Sequence, residues 1–204
     1  MTPSMTMHRI SRALCLAVPL ALPGALCCFT GCAAHTGPYR PVDPDRRDTA
    51  KAEALTRRAA DLVDSDPSEA ERLLRDALTA DLLYGPAHNN LGVIYLNEGR
   101  LYEAAGEFEW ARKLMPGHPD PRLNLGLALE RGGRIDEAMD AYRAALALAP
   151  EHLPTAQALA RCQLRYGRID ADTATLLAMI ELRGDAAWRA WAADQRMGLA
   201  GRHR

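Results

Sequence analysis

Residues 90–116 read NLGVIYLNEGRLYEAAGEFEWARKLMP, and much of this stretch returns further along the chain at one fixed interval. Gly99-Arg100-Leu101 becomes Gly133-Arg134-Ile135 and then Gly167-Arg168-Ile169. Leu91-Gly92 becomes Leu125-Gly126 and then Leu159-Ala160. Ala70, Ala104 and Ala138 form one series, and Ala77, Ala111 and Ala145 another. Phe108 aligns with Tyr142 and Leu176, with Leu74 upstream, and Pro116 aligns with Pro150. Repetition at this length marks a stacked array of like units, none of which buries its apolar face alone.

Each unit reads as two helices. Leu91, Val93, Ile94 and Tyr95 crowd one face of the first. Gly92 and Ala104 are small where paired helices must cross closely. Gly99, Gly133 and Gly167 stand where a first helix ends in a left-handed cap. Leu101, Ile135 and Ile169 follow as anchors for the next helix, and Pro116 and Pro150 close the second helices. The expected fold is therefore all-α.

The pattern resembles the tetratricopeptide repeat family. Leu91, Gly92, Tyr95, Ala104, Phe108, Ala111 and Pro116 supply its motif in one unit. The resemblance implies a helix-turn-helix solenoid of three to four repeats over 51–184, with units at about 51–84, 85–118, 119–152 and 153–184, then a capping helix and tail over 185–204. The outer units are degraded. The first helix of unit one fits only with one residue deleted near Asp66-Pro67, which gives Leu55, Ala59 and Leu62 the buried positions. Unit four has Asp172 where a small residue is expected, although Ile169, Thr173, Leu176 and Ile180 still form a helical stripe. Asp185 is the expected N-cap of the last helix, whose Trp188 and Trp191 share a face suited to covering the array end or to meeting a partner.

Composition narrows the chemistry. The chain is 48% apolar but only 5% aromatic, which favours Ala-rich helix packing over sheet. A net charge of −1 provides no field for nucleic acid. His88, His118 and His152 lack a second ligand at metal spacing, so no metal site is expected. Cys162 reads as a small core residue. Glu103 with Glu107 and Asp136 with Glu137 read as solvated faces. No catalytic constellation or cofactor motif is visible, and the expectation is a binding protein, not an enzyme.

Residues 1–34 differ in kind from the rest. His8, Arg9 and Arg12 precede an uncharged run that ends in Phe29-Thr30-Gly31-Cys32. A basic start and an apolar run make an export signal. The last four residues resemble the lipobox of bacterial lipoproteins, which implies removal of 1–31, lipidation of Cys32 and firm anchoring by several acyl chains. Ala33 after the cysteine is similar to outer-membrane lipoproteins of two-membraned bacteria. Cleavage after Ala34 and an uncleaved membrane span are the alternatives. Residues 32–50 are rich in Pro and charge and read as a tether.

In the tetratricopeptide family the first helices line a concave groove that holds a peptide or partner helix. Carried over by repeat position, the groove residues are Asn89, Asn90, Val93 and Asn97, then Leu123, Asn124, Leu127 and Arg131, then Gln157 and Arg161. Pro86, Leu96, Asp120, Glu130, Leu164 and Arg165 complete the expected lining. Asn90 and Asn124 share the position from which the family bonds an extended ligand's backbone. The Lys and Arg clamp of its chaperone-binding members is missing, with Asp120 and Asn124 at two of its positions. Apolar patches with Arg161 and Arg165 at one end suit a partner segment of some acidic character. The expected function is an envelope-anchored scaffold in envelope, pilus or secretion assembly. The alternative is a structural protein that self-associates through its array ends or the Trp188/Trp191 face.

Overall fold

The computed structural model describes residues 47–201. The leader, the lipobox at 29–32 with Cys32, and nearly all of the tether lie outside the described residues. Among the described residues there are nine helices and no strand: α1 (Thr49–Ala60), α2 (Pro67–Ala80), α3 (Gly85–Asn97), α4 (Leu101–Leu114), α5 (Asp120–Arg131), α6 (Ile135–Leu148), α7 (Leu153–Arg165), α8 (Ala171–Arg183) and α9 (Ala186–Gly201). None of these is long and apolar enough to cross a membrane.

The Gly-Arg-aliphatic phrase is a helix stop. Gly99, Gly133 and Gly167 have φ of 77°, 77° and 66°, which residues other than glycine rarely adopt. The residue after each glycine donates its N–H back to the first helix: Arg100 to Tyr95 O at 2.8 Å, Arg134 to Leu129 O at 2.9 Å, Arg168 to Gln163 O at 2.8 Å. This is the Schellman closure, and it satisfies carbonyls that the helix end would orphan. Several starts are capped by acids. Asp48, Asp66 and Asp170 accept from the first turns of α1, α2 and α8, and Asp185 accepts from Trp188 N at 2.9 Å.

Within each inner unit the helices meet over a glycine. A Cβ on Gly92 would sit 2.6 Å from the Phe108 ring, and one on Gly126 would sit 2.4 Å from the Tyr142 ring. Both rings are fully buried. The Leu-Gly pair and the aromatic of the following helix are thus one packing device, a ring seated on bare backbone. In unit four Ala160 takes the glycine position, and Leu177, one residue beyond the aligned Leu176, is the fully buried side chain.

The end units differ from the inner ones by one residue. The buried pairs Ala52 with Ala70 and Thr155 with Thr173 stand one position further apart than Ala87 with Ala104 and Pro121 with Ala138. The turns between their helices, 61–66 and 166–170, are longer than 98–100 and 132–134 in the inner units, with a net register shift of one residue. In unit one Ala52, Thr56 and Ala59 are the buried set; of the residues expected there Ala59 is buried, while Leu55 and Leu62 are only half-buried. In unit four Thr173, Leu177 and Ile180 replace the small-aromatic-small series, which moves Asp172 harmlessly to the surface. Ile169, expected to plug that turn, is 42% exposed for the same reason. Leu101 and Ile135 do pack against the core. The longer turn in unit four is closed by polar groups. Buried Gln163 accepts from Thr173 Oγ1 at 3.0 Å and donates to Asp170 at 2.9 Å, and Asp170 and Thr173 form a capping box.

Every described helix after the first packs on its predecessor. Beyond that, α1 touches α3, α3 touches α5 and α5 touches α7, whereas among the described residues no second helix touches the second helix of the next unit. The first helices crowd and the second helices splay, so the array curves with α3, α5 and α7 along its inner wall. The chain joins this array through Arg47, whose Nε and Nη2 bond Asp81 at 2.8 and 3.0 Å, while Thr49 donates to the same carboxylate at 2.7 Å. Helix α1 begins at Thr49, within the stretch read as tether.

Candidate functional site

The inner wall is held by bonds that reach back one repeat, from each first helix to the one before. Asn124 Nδ2 donates to Asn89 Oδ1 at 3.0 Å, Arg131 Nη1 to the Leu96 carbonyl at 2.8 Å, and Arg165 Nη1 lies 3.5 Å from Glu130 Oε1. Asn89 Nδ2 in turn lies 3.4 Å from Asn90 Oδ1. Three amides thus form one relay across α3 and α5. Among the described residues nothing takes Asn90 Nδ2 or Asn124 Oδ1, so the relay ends in one free donor and one free acceptor. That pair matches what the backbone of an extended chain offers. The cross-ties also fix the side chains beforehand, so a ligand has little ordering of the wall to offset.

Val93 and Leu127, one repeat apart, are half-buried and supply the apolar part of the wall. Asn97 and Arg131 stand exposed at its edge, and Gln157 and Arg161 continue it on α7 half-buried. Leu123 departs from the expectation. It is 8% exposed and belongs to the hydrophobic core, whereas Asn89 and Gln157 at the same repeat position are half-buried. Leu96 and Glu130 are buried as well. Glu130 accepts from Tyr142 Oη at 2.9 Å, and burial first, then the Glu130 charge, pushes the Tyr142 hydroxyl far above its usual range.

Charge on the wall is uneven. Asp120, at the α5 start, faces His152 Nε2 at 3.3 Å. Toward α7 stand Arg131, Arg161 and Arg165, with Glu130 as the acid among them. The Nε of Arg161 is buried and has no hydrogen-bond partner. Beside it, Ala187, Trp188 and Trp191 complete a cleft of about 240 Å³, with the two indoles edge to face at 5.2 Å. Both tryptophans also pack on the core, as a covering helix requires.

Two features escape a reading by period. Glu107, expected on a solvated face, is 7% exposed and lies 2.6 Å from His88 Nδ1, while His88 Nε2 meets the Leu82 carbonyl at 2.9 Å. Trp110 stacks on that histidine at 5.8 Å. A helical period marks which face is buried but not which polar groups meet from one helix to the next. The second feature is an outer cleft of about 470 Å³ between α2 and α4 that includes Arg75, Tyr102 and Trp110. Cys162 is fully buried, and burial followed by the Glu130 charge pushes its thiol up to about 11, leaving almost no thiolate at neutral pH. Among the described residues no group of three or more potential metal ligands occurs.

The comparisons with known proteins agree with this architecture. The family model described as tetratricopeptide repeat matches residues 60–109 and 97–152. No curated protein matches the chain in sequence. Among solved structures, the first tetratricopeptide domain of Spaghetti (RPAP3) bound to an HSP90 peptide is similar at 18% identity and a TM-score of 0.56, over 60% of this chain and 98% of that one. MamA from Desulfovibrio magneticus RS-1 is similar at 20% identity and a TM-score of 0.53, over 63% and 71%. The OM64 domain from Arabidopsis is similar at 18% identity and a TM-score of 0.53, over 57% and 97%. At these identities the likeness is one of fold. By repeat period and helix pairing, the fold of the described residues is that of a tetratricopeptide repeat array, and the family model matches it over residues 60–152.

Proposed function

We propose that this protein is a scaffold that captures a segment of a partner protein along the inner wall of α3, α5 and α7, and that it does so from a lipid anchor in the cell envelope. The observation that carries the binding reading is the amide relay Asn124–Asn89–Asn90, pre-tied across two helices and ending in a free donor and a free acceptor. The similar Spaghetti (RPAP3) domain, bound to a peptide, supports the same use of the fold. The anchor reading rests on the resemblance of residues 29–32 to a lipobox, with Cys32 as the lipidated residue, and puts the array in the periplasm or outside the cell. Assembly of the envelope, a pilus or a secretion apparatus is the setting such a scaffold suits.

The test is capture from membranes by the full chain and by the double variant Asn90→Ala, Asn124→Ala. Recovery of a specific protein should fall about tenfold or more, since each lost net hydrogen bond contributes about 0.5–1.5 kcal/mol, while the variant stays folded with its melt lowered only by the lost Asn124–Asn89 bond. Unchanged recovery contradicts the groove reading. Mass spectrometry of the mature N-terminus decides the anchor: a lipid-modified Cys32 supports it, and an unmodified start at His35 or an intact leader overturns it.

Self-association is the second reading, favoured by the exposed apolar side chains Leu182 and Met197 near the array end. Sedimentation of the full chain in detergent, with a monomer as the only species, removes it.

A further inference from the structure

We infer that the α7 end of the groove is a subsite for an acidic residue next to a bulky apolar one. Arg161 takes the carboxylate of an Asp or Glu in the partner segment, and the Trp188/Trp191 cleft takes its neighbour. This rests on the groove reading above and names the partner's chemistry.

Arg161 occupies the repeat position held by Val93 and Leu127 in the two preceding units. An arginine there breaks an apolar row, and its Nε is buried and donates to nothing. The neighbouring acid of the wall, Glu130, is already engaged by Tyr142 and Arg165. A desolvated guanidinium N–H without an acceptor is unfavourable, and a carboxylate meets its planar fork better than any neutral group. Arg161 itself lines the cleft together with Ala187 and the two indoles, and the cleft measures about 240 Å³. That is under the roughly 300 Å³ at which small-molecule pockets begin, and it suits one large side chain of a longer chain. Carboxylate position and apolar cleft lie side by side on α7 and α9. The occupant therefore presents both groups from neighbouring residues of one chain, and its acid is a side chain, not a terminus. The relay on α3 and α5 leads an extended segment to the same place.

The experiment is selection of random peptides, displayed with both ends masked, on the immobilised full-length chain. The selected peptides are then synthesised with amidated ends and titrated against the protein and its Arg161→Leu, Arg161→Lys and Asn90→Ala/Asn124→Ala variants. Leucine already stands at this position in the preceding unit, and a melting curve for Arg161→Leu verifies folding. The expected result is enrichment of Asp or Glu beside Leu, Phe or Trp, and an affinity loss of about ten- to a hundredfold in Arg161→Leu, as removal of a charge-assisted bond implies. Arg161→Lys should recover part of it. Peptides that depend on Asn90 and Asn124 yet bind Arg161→Leu equally well overturn this inference and leave the groove reading standing. Peptides that bind only with a free terminal carboxylate overturn the side-chain assignment. A selection that yields no binder, or binders indifferent to both sites, removes the groove reading and this inference together.

Discussion

Glycines at three kinds of position carry opposite predictions. Gly126→Ala places a methyl 2.4 Å from the Tyr142 ring, so the pair must move apart. The variant should lose about 1–3 kcal/mol in urea unfolding, the range for overpacking a tight core. Gly106 lies within α4 with nothing within 4 Å of an added Cβ, so Gly106→Ala should gain roughly 1 kcal/mol of helix propensity. Gly99→Ala keeps ample space but must hold a φ of 77°, and should lose about 1 kcal/mol. If Gly126→Ala is neutral or stabilising, the ring-on-glycine account is wrong. Gly99 and Gly126 were legible in the sequence, since each has a counterpart one unit away in the same setting, Gly133 and Gly92. His88 with Glu107 was not, because neither residue recurs one unit later, where Arg122 and Ala141 stand.

At the level of elements, the inner second helices were the readable ones: the anchors Leu101 and Ile135 begin α4 and α6, and these end two residues before Pro116 and Pro150. The end units were harder. A net register shift of one residue across each turn offsets α1 and α8 against the repeat, and strict spacing then assigns the buried face of α8 one residue early. Polar closure shows the shift only in three dimensions, where Thr173 serves both Gln163 and the Asp170 cap. Thr173→Val should therefore cost about 1–2 kcal/mol in chemical unfolding, through a lost capping interaction and an acceptor left without a donor. A loss below roughly 0.3 kcal/mol would dismiss the closure.

The entry to α1 carries a pH signature. Burial alone raises the Asp81 carboxyl, but bonds from Arg47, Thr49 and the Leu83 N–H outweigh it and hold it below its ordinary 3.8. A depressed folded value means stability that is present above about pH 4 and lost as pH falls through that folded value. Asp81→Asn should melt below the parent at pH 7, and the gap should close under pH 3.8 as the parent's carboxyl takes up its proton. A gap independent of pH would show that shape, not charge, secures the entry.

The whole molecule follows from the crowding of first helices and splaying of second ones. Curvature turns a row of side chains that are ordinary singly, Asn89, Asn90, Val93, Asn124 and Leu127, into a wall. Repeat position picks out that row, because units stack in register. It could not place Leu123 in the core or bring Arg161 to Trp188 and Trp191, since both depend on how neighbouring helices tilt. Helix α9 covers the last unit through Ala192, Trp188 and Trp191, so removal of residues from 185 onward should lower the melting midpoint and expose apolar surface to a dye. An unchanged midpoint would make α9 an appendage.

The central claim is that the inner wall, not the outer surface, meets another polypeptide. Photo-crosslinking in cells tests it most directly, with the reactive group at Val93 on the inner wall or at exposed Ala144 on α6. The account predicts one discrete adduct from Val93, absent from Ala144 and lost with Asn90→Ala and Asn124→Ala. Equal adducts from both positions, or none from Val93 while Ala144 reacts, would contradict it.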